Sequence, residues 1–358
     1  MIERITFENF RGFDRLELCE IKPITLISGK NNVGKSSVLE GIFLFLDHVD
    51  ADSFGKISRF RGIPSAIDAA NLWEPAFYQM DAEKTMQIQL IMNGAVSTLE
   101  YVKDTSFMPA SDINVPQDIM NQMISSAKAA YTLKFKYRKD NYIEDGHFVV
   151  SPAGILRNIT TNLEYNQIDT MPFTQYINAA IISGTGVVAV AEWFGKLELS
   201  GKKQQIIDIM QILDSKISDL STIIVNGQGI LYVKIDQKLF PLKLAGDGLN
   251  KLLFIILSII SNPNSILLID EIESGFHYSM YPKLWETIAL AAQENNCQII
   301  ATTHSYECIA GAIDGVGKAD RRSDFCYFRM DKGVRGNYAH RYSDDLLCTA
   351  IATDMEVR

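Results

Sequence analysis

Cysteine is scarce in this 358-residue chain: Cys19, Cys297, Cys308, Cys326 and Cys348 are odd in number, widely spaced and never form C-x-x-C. That pattern excludes a disulfide framework and offers no zinc-ligand spacing, so the five read as reduced, mostly buried thiols of a cytoplasmic protein. Low-complexity tracts and internal repeats are also missing, and 47% hydrophobic with 22% charged residues is the balance of a chain that folds around a core. The N-terminal Met1-Ile2-Glu3-Arg4-Ile5-Thr6-Phe7 alternates like a strand and lacks the basic start and apolar centre of a secretory signal. The longest uncharged run, residues 177–191, is shorter than a membrane span and is interrupted by Ser183-Gly184-Thr185-Gly186. It reads as a buried strand, a turn and the start of a helix. A formal net charge of −9 excludes a surface basic enough to coat nucleic acid, leaving room only for a local basic groove.

What is present is a phosphate-binding pattern. Gly29-Lys30-Asn31-Asn32-Val33-Gly34-Lys35-Ser36 fills every fixed position of G-x-x-x-x-G-K-S. The apolar run Ile24-Thr25-Leu26-Ile27 precedes it as a short buried strand, and residues 37–46 follow with helical spacing. In that setting the glycines let the backbone close around phosphates, while amide N–H groups and the positive helix end hold the anion. Gly29, Asn31, Asn32, Gly34, Lys35, Ser36 and Ser37 are therefore the candidate nucleotide-binding residues. Lys35 would reach the β- and γ-phosphates and Ser36 would offer its hydroxyl to Mg2+. Arg11, in the polar turn Asn9-Phe10-Arg11-Gly12-Phe13-Asp14, stands either beside the nucleotide or on a solvated surface; the residues leave both open.

Ahead of the loop, residues 5–7 and 16–18 read as short strands. Beyond the first helix, residues 50–77 read as a loop-rich excursion. Residues 86–92 and 96–102 predict a β-pair about Asn93-Gly94-Ala95, residues 131–137 and 147–150 another, and residues 116–130 a helix between them. Along 132–139, Lys134, Lys136 and Arg138 alternate with Leu133, Phe135 and Tyr137. The basic outer face reads first as a solvated strand surface and second as a contact for nucleic acid or a partner. Residues 202–220 read as one amphipathic helix, with strands over 222–225 and 230–235 after it.

The distal half carries more chemistry. Gly246-Asp247-Gly248 stands just before a strongly helical apolar run, an N-terminus able to hold an anion or simply a cap. Ser265-Ile266-Leu267-Leu268-Ile269 has the composition of a buried parallel strand and ends in Asp270-Glu271, a Walker B pattern. At the carboxyl end of such a strand, Asp270 would hold Mg2+ through water and Glu271 would polarise the attacking water as general base. Gln298-Ile299-Ile300-Ala301-Thr302-Thr303-His304-Ser305 predicts another strand, joined to the last by a helical segment over 281–294. A βαβ crossover puts both strand ends on one edge, so His304 would meet the γ-phosphate or the attacking water.

Taken in order, Glu8-Asn9-Phe10-Arg11-Gly12-Phe13, residues 29–36, Gly246-Asp247-Gly248, residues 267–277 and Thr302-Thr303-His304-Ser305 resemble the ABC-type ATPases related to Rad50, RecF and the OLD family. They are most similar to the AAA15-type branch found in prokaryotic defence operons such as PARIS and Septu. The resemblance implies an α/β P-loop NTPase of ABC type, a mixed sheet with flanking helices plus a β-rich and helical insert lobe. It implies one ATPase head over the chain: N-terminal strands and Walker A half over 1–50, insert lobe over 51–240, and signature, Walker B and switch-histidine half over 241–358. It also implies ATP and Mg2+ as cofactors and a nucleotide sandwiched in a homodimer or higher oligomer. Residue by residue, Gly246 and Gly248 match the signature acting in trans, residues 273–277 the D-loop, and His304 the switch histidine.

Two departures stand out. Ala245 occupies a place where a serine would contact phosphate, and no glutamine is singled out as a Q-loop, leaving Gln79, Gln87 and Gln89. OLD nucleases continue into a Toprim domain, whereas 54 residues without Asp-x-Asp follow His304, so DNA cleavage by this chain is not expected. Residues 202–220 are too short for a Rad50-type arm, and no Asn-Lys-x-Asp selects guanine. The implied role is a cytoplasmic ATPase regulating a separately encoded effector, such as a nuclease, in anti-phage defence, with DNA or a phage protein as open partners and no membrane. Its rivals are a DNA-repair or DNA-end-binding ATPase of the RecF kind and a nucleotide-gated scaffold with negligible turnover.

Overall fold

The computed structural model describes residues 1–63, 69–105, 132–151, 154–161, 171–178, 186–225, 227–333, 336–353 and 355–358. The helix expected over 116–130 and the turn at 183–186 up to Thr185 lie outside the described residues. The chain divides into two compact units, the first made of Met1–Ile21, Asn32–Met171 and Asp331–Ala339. Its strands are β1 (Ile2–Phe10), β2 (Phe13–Cys19), β4 (Met86–Met92), β5 (Ala95–Asp104), β6 (Thr132–Lys139), β7 (Tyr142–Ser151) and β8 (Gly154–Thr161). They form one antiparallel sheet in the order β2-β1-β4-β5-β6-β7-β8. Period-2 alternation decides its faces: Met86, Ile88 and Leu90 are buried while Gln87 and Gln89 point to the polar side. Helix α1 (Lys35–Leu46) buries every residue from 37 to 46, and its Gly41 sits against the rings of Phe7 and Phe10. Phe7 and Phe10 stack with centroids 5.5 Å apart, and Phe13 lies tilted against them at 5.8 and 6.4 Å. Two short helices, α2 (Ser53–Phe60) and α3 (Ala69–Trp73), follow α1.

The second unit comprises Lys22–Asn31, Pro172–Met330 and His340–Arg358. Its strands are β3 (Ile24–Gly29), β9 (Thr174–Ile177), β10 (Ile217–Val225), β11 (Gln228–Ile235), β12 (Lys238–Pro241), β13 (Ile266–Ile269), β14 (Gln298–Thr302), β15 (Phe325–Gly333) and β16 (Gly336–Tyr342), the last two passing through Asp331–Ala339 of the first unit. A six-stranded sheet runs β16-β15-β3-β14-β13-β9, and a three-stranded one β10-β11-β12. In the larger sheet β15, β3, β14, β13 and β9 are mutually parallel, with Ile27 opposite Thr302, Ile269 opposite Ala301, and Ile269 opposite Ile177. Every residue of β3, β13 and β14 is buried, the pattern of parallel strands covered on both faces. The cover comes from α4 (Gly186–Leu199), α5 (Lys203–Leu213), α6 (Asp247–Ser261), α7 (Tyr281–Glu294), α8 (Tyr306–Lys318) and α9 (Asp344–Ala352). Helix α6 buries ten consecutive residues, Lys251 to Ile260, so it is enclosed on all sides. Cys297, Cys308 and Cys326 are buried free thiols. No helix among the described residues is long and apolar enough to cross a membrane.

Two expectations fail, each for a local reason. The helix read over 202–220 ends at Leu213; Asp214 is extended, and Ile217 and Leu220 belong to β10. A β-bulge between Ile217 and Asp219 puts Ile217 and Leu220, three apart, on the same buried face, which imitates helical spacing. Residues 50–77 are not simply loop, since α2 and α3 fall within them. Phe54 and Ile57, three apart, supply the buried side of α2, and the Ser53 hydroxyl returns to the Asp50 carbonyl at 2.7 Å amid residues that read as turn formers.

Gly41 permits a test of the first core. A side chain there meets the Phe7 and Phe10 rings, already stacked on one another. Gly41→Val is expected to lower stability by about 1–3 kcal/mol through overpacking, read as a lower chemical-denaturation midpoint. An unchanged midpoint would show that the rings give way freely.

Candidate nucleotide site

The loop after β3 is shaped by residues outside ordinary backbone space. Gly29 (φ 144°), Asn32 (φ 64°) and Gly34 (φ 94°) carry positive φ. Gly34 is needed twice over, because a Cβ there would lie 2.5 Å from the Phe13 ring. It caps α1; no side chain caps that helix and no acid stands in its first turn, which suits an anion at the N-terminus. Asn337 holds the loop's Val33 carbonyl at 3.1 Å through its amide. Lys35, Ser36 and Ser37 open α1. Arg11 (φ 51°) directs its side chain to the Pro75 carbonyl, 2.8 Å, and to buried Glu40, 3.3 Å. Arg61 reaches the other Glu40 oxygen at 2.6 Å and the Ser37 hydroxyl at 3.5 Å. One buried carboxylate of α1 thus holds two guanidinium groups.

The parallel register of the second unit brings together the carboxyl ends of β3, β13 and β14, and with them Gly29 to Asn31, Asp270-Glu271 and Thr302-Thr303-His304. Asp270 is held from two sides: the Thr302 hydroxyl donates to Oδ1 at 2.5 Å and the Tyr176 hydroxyl to Oδ2 at 3.2 Å. Glu271 is exposed and sits at φ 48°, a conformation that costs a bulky residue about 1–3 kcal/mol. Three bonds hold it there. Its N–H donates to the Thr302 hydroxyl at 2.9 Å, the next N–H, of Ile272, to the Thr302 carbonyl at 3.0 Å, and its own carbonyl accepts from Lys251 Nζ at 2.6 Å. Glu273 is buried and accepts from the His304 backbone N–H at 2.8 Å, with His304 Nδ1 also 2.8 Å away.

Gly246 and Gly248 open α6. Gly246 (φ 105°) is its cap, and Gly248 packs so closely on the turn after Walker B that a Cβ would lie 2.5 Å from the Gly275 carbonyl. One turn on, Lys251 is buried and also donates to the Ser274 hydroxyl at 3.1 Å. Burial lowers its pKa to about 8, partly countered by Glu273, Glu271 and Asp270. Burial, and then the Glu273 charge, pushes the neighbouring Cys308 thiol up to about 12, so it stays protonated.

Asp270, Glu271, His304 and the strand end at Gly29 therefore share an edge, and Gly246 and Gly248 abut the turn that follows it. Lys35, Ser36, Ser37 and Arg11 belong to the other unit. Sequence reasoning passed over Thr302, Tyr176, Lys251 and the partnership of Glu273 with His304. Lys251 had a visible signal, a lone lysine heading an apolar helix; Tyr176 had none, since it lies 94 residues from its partner.

A phosphate loop between strand and helix, with a Walker B strand and a histidine-ended strand on one parallel sheet, defines an ABC-type P-loop ATPase head. The chain belongs to the AAA ATPase domain family, whose model matches residues 1–183. Residues 185–310 match a second AAA domain model, described with an AbiEii toxin and a type IV toxin–antitoxin system. The chain is 24% identical over 353 residues to an ATP/GTP phosphatase of Helicobacter pylori, covering 91% of this chain and 90% of that protein. Among solved structures, the Smc head bound to the C-winged helix domain of ScpA is similar at TM-score 0.55 and 13% identity, over 96% of this chain and 98% of that one. The Smc head with an extended coiled coil bound to the ScpA C-terminal domain, derived from Pyrococcus furiosus, gives TM-score 0.52 and 12% identity over 99% of each chain. These likenesses are of fold.

The lysine yields a pH prediction. Its folded pKa lies below its ordinary 10.5, so the unfolded chain binds the proton more tightly and stability rises with pH between about 8 and 10.5. Relative to Lys251→Met, the parent protein should gain up to about 1.4 kcal/mol per pH unit in that window, measured by urea denaturation from pH 7.5 to 9. A constant difference would mean that Lys251 is not desolvated.

Proposed function

We propose that this ATPase hydrolyses Mg-ATP at the shared edge of its parallel sheet, dimerises around the nucleotide, and uses that cycle to regulate a separately encoded effector in anti-phage defence. The observation that carries the chemical part is the register: Ile27 lies opposite Thr302 and Ile269 opposite Ala301, so the carboxyl ends of β3, β14 and β13 leave Gly29-Lys30-Asn31, His304 and the Asp270-Glu271 pair on one edge. In this reading Gly29, Asn31, Asn32, Gly34, Ser37 and Lys35 hold the triphosphate, and Glu271 accepts the proton of the attacking water. Gly246 and Gly248 offer backbone amides to the nucleotide of a second copy, since Ala245 brings no hydroxyl.

The donors fit magnesium. Ser36, in the first unit, brings a hard hydroxyl oxygen, and the Asp270 carboxylate, a hard donor in the second unit, is already aimed by two hydroxyl groups. Bound there, the ion would neutralise charge on the β- and γ-phosphates. Arg11 is tied to Glu40 of α1 and to the Pro75 carbonyl, and in this reading it steadies the helix that follows the loop.

Dimerisation and the effector rest on likeness. The Smc heads are known with ScpA domains bound to them, and one family model is described with a toxin–antitoxin system. A DNA-end-binding role would need an open basic groove. Lys136 instead lies between Glu100 and Asp145 across the strands, Arg138 pairs with Glu100 at 3.6 Å, and Arg59 and Arg61 pair with Asp52 and Glu40. Lys134, opposite Val102 and His147, is the exposed exception, and the pairing of the other four is what favours the effector reading.

Glu271→Gln removes the base and keeps the shape. Steady-state ATP turnover should fall about 10²- to 10⁴-fold, while light scattering shows a dimer that persists on ATP. A parent protein with no turnover but an ATP-dependent dimer would instead make it a scaffold, and a monomer with ATP would remove the sandwich.

A further inference from the structure

We propose that Glu273 is the positioning residue that fixes the tautomer and aim of His304 for ATP hydrolysis; this deepens the reading above and rests on it. Glu273 comes two residues after the Walker B glutamate, and its side chain is only 6% exposed. A single oxygen, Oε1, serves both the backbone N–H and Nδ1 of His304, each at 2.8 Å. An ionised carboxylate has only acceptors, so Nδ1 carries the hydrogen. In the neutral ring the remaining nitrogen, Nε2, then carries the lone pair, and the side chain is 53% exposed. His304 is thereby set to accept a hydrogen bond at Nε2 from the water or the hydroxyl before it, and the ring cannot turn over without giving up its bond to the carboxylate.

The seat itself is built, not incidental. The Ile272 N–H on the Thr302 carbonyl, 3.0 Å, pins the turn carrying Glu273 to the end of β14, two residues before His304. Glu273 Oε2 is buried without a hydrogen-bond partner, a state that costs about 1–3 kcal/mol or more for a polar atom. A purely structural latch would need an acceptor for the backbone N–H alone, whereas here the same oxygen also takes the ring.

The ring's two states can be read directly by nitrogen NMR of histidine-labelled protein, with His304→Ala identifying the resonance among five histidines. In the parent chain His304 should be in the Nδ1–H form. Glu273→Ala should move it toward the Nε2–H form that free neutral imidazole favours, with kcat falling about 10²-fold and KM changing little. Glu273→Gln is the second variant: the His304 backbone N–H can only donate, so it selects the amide oxygen on its side. That variant should keep the Nδ1–H form and recover most of the lost rate. His304→Ala should cost as much as Glu273→Ala, and the double variant no more than either. An Nε2–H form in the parent, an unchanged tautomer in Glu273→Ala, or additive losses would each overturn the proposal. Because the tautomer is read without turnover, an inactive parent whose ring still depends on Glu273 would support the positioning and overturn the ATP reading alone.

Discussion

The site depends first on a ladder of parallel backbone hydrogen bonds. In a parallel sheet every carboxyl end falls on the same edge, so β3, β14 and β13 deliver three chemically different segments to one place however far apart they are in the chain. Each return needs a helical crossover; α7 provides the one between β13 and β14. Burial on both faces fixes the ladder, since the four apolar residues of β13 have nowhere else to go. A slip of one residue there would carry Asp270 away from Thr302 and Tyr176.

On that edge the polar groups hold each other. Thr302 does most of this: its hydroxyl gives to Asp270 and receives from the Glu271 N–H, and its carbonyl receives from the Ile272 N–H. Strain at Glu271 persists because Thr302 on one side and Lys251 on the other over-determine the turn. Glu273 extends the same network to His304. The consequence is a carboxylate at Asp270, a strained turn at Glu271 and an imidazole at His304 whose arrangement is set by one connected set of hydrogen bonds.

Much of this was legible in the residues. The phosphate loop, the Asp270-Glu271 strand end and the 281–294 helix are short, local patterns, and local patterns survive folding. The β10 bulge was not legible, because Ile217 and Leu220 at helical spacing look the same whether a helix or a bulged strand carries them. The ties of Tyr176 to Asp270 and of Lys251 to Glu271 were hidden for another reason, since they join segments 94 and 20 residues apart that only the sheet and α6 bring together. Arg11 shows the limit of a motif: its position is marked in the sequence, but its buried partner Glu40 is set by the packing of α1.

The most direct measurement is the location of a bound, slowly hydrolysed ATP analogue with magnesium in a crystal or electron-microscopy map of this chain. The account predicts the terminal phosphate at the sheet edge formed by the ends of β3, β13 and β14, within reach of Asp270, Glu271 and His304. A nucleotide seated elsewhere on either unit, or saturating analogue that leaves that edge empty, would contradict it.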